Sequence, residues 1–130
     1  PLFAALTVDG RRAWNPPLAE DAILGDAFQL HQSSDKGFGP ALGGAAPQRL
    51  ATVFAANDFV ITEAASDWHL DARDRALLAE LVAGEALAAR AACPEQSAVI
   101  AAWEKQRRDQ LENGRLKLTI GHRDLLALPG

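Results

Sequence analysis

Leu2 to Val8 is an almost unbroken apolar run, the pattern of a strand covered on both faces as in parallel sheets, and Asp9-Gly10 predicts a turn that ends it. Asn15-Pro16-Pro17 then predicts the start of a helix over Leu18 to Ser33. Ile23, Ala27, Leu30 and Phe28 line one side of that helix, and Glu20 and Asp21 suit the positive end of its dipole. Lys36 to Gly44 concentrates glycine and proline and reads as a loop. Ala46 to Ala56 reads as a helix with Pro47 in its first turn and Leu50, Val53 and Phe54 facing inward. Phe59 to Ala64, rich in β-branched residues, reads as the second strand.

Asp71 predicts the cap of a helix reaching Ala92, with Leu77, Leu78, Leu81, Val82 and Leu87 as its apolar stripe. Cys93-Pro94 separates it from a helix that begins near Ser97 and carries Val99, Ile100, Trp103 and Leu111. After Asn113-Gly114, Leu116 to Leu128 reads as one long last strand or as two short ones around Gly121-His122. The order of elements predicts a layered α/β fold forming a single domain over residues 1–130. Its apolar first strand would leave a hydrophobic edge that needs cover.

Composition narrows the function. At 48% hydrophobic residues the chain builds a core, and a net charge of −4 argues against a surface for phosphate backbones, so no nucleic-acid partner is expected. Lys105, Arg107 and Arg108 are answered by Glu104, Asp109 and Glu112, which reads as a solvated helix face. No apolar run nears the roughly 20 residues of a membrane span, so no membrane partner is expected and the location expected is cytoplasmic. Cys93 stands alone, which removes disulfides and thiolate clusters within the chain. The absence of an initiator Met and the strand pattern at the first residues give the expectation of a fragment cut from a larger fold.

The short motifs exclude more than they assign. Gly37-x-Gly39 lacks a third glycine at dinucleotide-loop spacing and follows a helix, and His122-Arg123-Asp124-Leu125 lacks the Asn and the lid of a kinase loop. His31, His69 and His122 are too scattered for a local metal motif, so no metal ligand is expected. No nucleophile elbow precedes Ser33, Ser34 or Ser66.

Three segments do carry a likeness: His31-Gln32-Ser33-Ser34-Asp35-Lys36-Gly37-Phe38-Gly39-Pro40-Ala41-Leu42-Gly43, Ala65-Ser66-Asp67-Trp68-His69-Leu70, and Gly114-Arg115 with Gly121-His122-Arg123-Asp124-Leu125-Leu126-Ala127-Leu128-Pro129. Together they resemble a group of bacterial class I S-adenosylmethionine-dependent methyltransferases, over nearly the whole chain. The resemblance implies the C-terminal half of a Rossmann-like sheet. Leu2 to Val8 would be its fifth strand, Phe59 to Ala64 the sixth, and the region after Leu116 an antiparallel seventh inserted between them. A small mixed sheet with two parallel strands and an antiparallel last strand is therefore expected, with the helices of residues 71–113 as an insertion. In that family the cofactor sits over the first half, on a glycine-rich loop and an acidic residue that nothing in this chain matches. S-adenosylmethionine would thus belong to the parent protein, with no cofactor-binding residue in this segment and none bound to it alone.

The resemblance also places the acceptor side at loops beyond the strand ends. It implies His31 as a catalytic base oriented by Asp35, and Gln32, Lys36, Gly37 and Trp68 as contacts to a small-molecule acceptor. Each has a plainer role open to it: His31 on a helix surface, Lys36 over a helix C-terminus, the glycines in a turn, Trp68 in packing. The expected function is that of the C-terminal part of a methyltransferase, not active alone. The alternative is a non-catalytic interaction module that dimerises through its open strand edge. Either a homodimer or the missing N-terminal half would cover Leu2 to Val8.

Overall fold

The computed structural model describes residues 1–130, apart from the side chain of Leu6. In chain order the elements are β1 (Leu2–Asn15), α1 (Asp21–Gln32), α2 (Ala46–Ala55), β2 (Phe59–Ala65), β3 (Trp68–Leu70), α3 (Arg75–Ala92), α4 (Ser97–Glu112) and β4 (Lys117–Pro129). β4 is the hub of the sheet: β1 lies along one side of it, and β2 and then β3 along the other. The last strand does lie between β1 and β2, which run in the same direction. Every ladder is antiparallel, however, and no parallel pair forms among the described residues, so the expected mixed sheet is corrected to an antiparallel one.

Because side chains alternate along a strand, β4 presents Leu118, Ile120, His122, Asp124, Leu126 and Leu128 to one face and Leu125 and Ala127 to the other. The main core covers the first face near its start. There α1, α3 and α4 bury Leu24, Ala27, Leu78, Val82, Ile100 and Trp103 against Trp14, Leu118 and Ile120. A smaller core covers the opposite face near the other end, where Ala51, Leu50 and Phe54 of α2 meet Leu125, Ala127 and Ile61. To pass from the α1 face to the α2 face, the chain rounds the outer edge of β1. Gly44 lies so close to Gly10 that a Cβ on Gly44 would stand 2.7 Å from the Gly10 Cα.

Sequence and structure part at several points. β1 does not end at Asp9-Gly10: Gly10 takes φ 87° inside a bulge, the register shifts between Val8 and Arg12, and the strand resumes to Asn15. β4 is one strand, not two. The α1 stripe is Leu24 and Ala27, leaving Ile23 and Leu30 exposed, and Val53, Leu77 and Leu87 are exposed as well. Arg107 is fully buried, contrary to its expected place on a solvated face, whereas Lys105 and Arg108 do make exposed i,i+4 pairs with Asp109 and Glu104. The helix starts follow the sequence. Asp71 Oδ1 accepts from the Arg73 amide while Asp74 Oδ2 accepts from the Asp71 amide, closing a reciprocal cap ahead of α3.

Candidate functional site

Two polar assemblies grow from the bulge in β1. On the α1 face, Arg12 Nε donates to Glu85 Oε2 at 2.6 Å, and Trp14 Nε1 donates to the same oxygen at 3.0 Å. Arg12 also lies over the Phe28 ring at 4.9 Å and the Trp14 ring at 5.5 Å. Glu85 sits in α3 with 2% exposure, and burial pushes its carboxyl above the usual range against the opposing pull of Arg12 and Trp14. Trp14 meets Trp103 edge to face at 5.6 Å, and Trp103 Nε1 donates to Asp21 Oδ1 at 2.8 Å. Arg107 closes the network, donating to Asp21, to the Pro16 carbonyl at 2.6 Å and to Gln110 at 2.7 Å. This network ties β1, α1, α3 and α4 together across the core.

On the opposite face, Arg11 is clasped by Asp9 and Asp67 at 2.7 and 2.8 Å, and Asp67 also accepts from the His122 amide at 3.1 Å. The clasp lies flat over Gly121, where a Cβ would stand 2.8 Å from Arg11 Cβ and would collide with Asp9. Hydrogen bonds from Arg11 and His122 hold Asp67 below its ordinary range. For Asp9, burial works upward, and the bonds from the Arg11 side chain and amide outweigh it, leaving a net lowering.

Between β1 and α1 lies a cavity of about 80 Å³ lined by Val8, Gly10, Arg11, Arg12, Gly25, Phe28, Gln29, Gln32 and Ile120. Val8, Gly25, Phe28 and Ile120 form the apolar part of its wall, and Arg11, Arg12, Gln29 and Gln32 the polar part. Gln29 Nε2 is engaged with the Gly10 carbonyl at 3.2 Å. A cavity of mixed lining and this size admits a few atoms of a ligand, not a drug-sized molecule.

The expected site residues divide among four places. Gln32 lines this cavity. His31 instead borders a separate shallow depression with Leu30, Ser33, Ser34, Ala91 and Ala92. Lys36 Nζ donates to the His31 carbonyl at 2.8 Å and to Ser34 Oγ at 2.7 Å, so it caps the end of α1. Gly37 takes φ 111°, and Asp35 Oδ1 accepts from the Gly37 and Gly39 amides at 2.7 and 3.0 Å. Asp35 thus serves the loop, and no hydrogen bond joins it to His31 among the described residues. Trp68, half-buried in β3, packs against His122 at 5.0 Å and against the main core.

Sequence reasoning missed Arg12, Glu85 and the clasp. Glu85 is separated from Arg12 by 73 positions, and only its place on the buried stripe of α3 with Leu78, Val82, Ala86 and Ala89 marks it. Among the described residues no group of three or more His, Cys, Asp or Glu is placed to hold a metal, and no helix is long and apolar enough to cross a membrane. No family model, no curated protein and no solved structure matches the chain.

Proposed function

We propose that the chain is the C-terminal part of a class I S-adenosylmethionine-dependent methyltransferase acting on a small-molecule acceptor, and that it is inactive by itself. The observation that carries this reading is the strand order. β4 runs antiparallel between β1 and β2, which share one direction, and no strand pairs with the outer edge of β1 among the described residues. The resemblance implies this order for the fifth, seventh and sixth strands of a Rossmann-like sheet, in which parallel pairing would begin at the free β1 edge.

The residues present do not fit the cofactor. β1 leads to α1 through Pro16–Glu20, and β2 passes directly into β3, so neither strand feeds a glycine loop at a helix N-terminus. The cofactor is therefore assigned to a preceding half, and no chemical step is routed through it. What this chain would contribute is the positioning of an acceptor, which supplies much of the rate in an in-line displacement. Calorimetric titration with S-adenosylhomocysteine tests the reading. The 130-residue chain is expected to give no binding, and a longer product translated from upstream in the same reading frame is expected to bind. Tight stoichiometric binding to the chain alone, or none to the longer product, would overturn it.

A second reading, a module that dimerises by sheet extension, is favoured by the same free edge together with the exposure of Phe3 on that strand. Sedimentation of the chain distinguishes the two. A dimer dissociated by Phe3→Lys supports the module, and a monomer at all concentrations removes it.

A further inference from the structure

We propose that the cavity between β1 and α1 binds a small uncharged molecule through a carbonyl oxygen taken by the Arg12 guanidinium, with an N–H or O–H of the ligand met by the Gln32 amide.

Three observations converge on this. Arg12 is held in place by Glu85 at Nε and by two aromatic rings, and no group among the described residues accepts from its two terminal NH₂ groups. A guanidinium fixed in orientation loses little freedom when it donates to a ligand. The Gln32 side chain likewise lines the cavity and makes no hydrogen bond to the described residues. Gly25 is the third: it lies inside α1, where glycine disfavours the helix relative to alanine, yet a Cβ there would meet nothing within 4 Å. Packing does not demand the glycine; its effect is to keep the cavity open.

Charge selects the class of ligand. The two guanidiniums that line the cavity are already paired, Arg11 with Asp9 and Asp67 and Arg12 with Glu85. A carboxylate therefore finds no uncompensated cation there, whereas a carbonyl oxygen accepts from Arg12 without adding charge. At about 80 Å³ the space holds a handful of atoms, such as the polar end of a lactam or carboxamide. In calling this molecule an acceptor the proposal rests on the methyltransferase reading, but the site stands without it.

The test is nitrogen–proton correlation NMR of the full 130-residue chain titrated with 2-pyrrolidinone and, at matched ionic strength, with butanoate. Pyrrolidinone is expected to give saturable shifts at Arg12 Nε–H, the Gln32 side chain and Gly25, with Kd on the order of millimolar. Butanoate is expected to bind about tenfold more weakly. Arg12→Gln should lose the binding. Gly25→Ala should weaken it several-fold while raising the thermal midpoint, which separates lost binding from lost folding. Shifts that do not saturate, equal or tighter binding of butanoate, or binding unchanged in Gly25→Ala overturns the site. That result would leave the methyltransferase reading untouched, just as failure of the longer product to bind S-adenosylhomocysteine would leave the cavity untouched.

Discussion

Each face of β4 is covered over half its length, and the two uncovered halves are unlike. On the α2 side the bare part carries Lys117, Thr119 and Gly121, finished by the Arg11 clasp. On the α1 side the bare part carries Leu126 and Leu128 with Phe3 and Val60 across from them, exposed by 45% at Leu128, 66% at Phe3 and 62% at Val60. The first is a completed surface, in which charges satisfy one another above a glycine. The second is a contiguous apolar strip that reaches an unpaired edge, with nothing packed over it among the described residues.

The largest expected effect contrasts the covered and bare ends of one face. Leu118→Ala, in the main core, should cost about 2–5 kcal/mol in denaturant unfolding, and Leu128→Ser should stay within about 0.5 kcal/mol. Comparable losses would mean that the strip is covered in solution. Next, Gly121→Ala should cost about 1–3 kcal/mol because the new methyl displaces the clasp, and Asp9→Ala, which removes the atom nearest that methyl, should relieve a large part of the penalty when the two are combined. A penalty that persists in the double variant would place the strain in the strand itself.

Acid titration separates the two polar assemblies by sign. Asp9 and Asp67 lie below their ordinary value of 3.8, so their stabilisation is present above that pH and is lost as pH falls through their lower folded values. Glu85 lies above its ordinary 4.5, so the stability linked to its proton is complete below that pH and is lost as pH rises through its folded value. Arg11→Met should flatten the acid limb of the stability curve, and Glu85→Gln should flatten the decline on the other side. Identical curves for either variant and the parent protein would remove that assignment. The smallest effect on stability is expected from Val60→Lys on the apolar strip, within about 0.5 kcal/mol, yet it should lower the binding of a hydrophobic dye by the native protein.

The helices and the long last strand were legible because their periodicity is local. α2, α3 and α4 end within a few residues of the boundaries that Pro47, Asp71, Cys93-Pro94 and Asn113-Gly114 mark. The continuation of β1 was not legible, since Asp9-Gly10 signals a turn whether the chain reverses or only bulges. Nor were the antiparallel ladders, because an apolar run records burial rather than the direction of its neighbours. Of the expected site only Gln32 falls in the cavity. Arg12 was hidden by Arg11 beside it, and only the fold shows that one guanidinium turns to Asp67 and the other to Glu85.

The crossing of Gly44 over Gly10 also acts as a ruler. A new strand laid along the outside of β1 can run beside Leu2–Val8 and must then turn away before Gly10, because the crossing chain stands in its path. At roughly 3.3 Å per residue the open stretch is about 23 Å long. Any strand added along this edge is thereby limited to about seven residues.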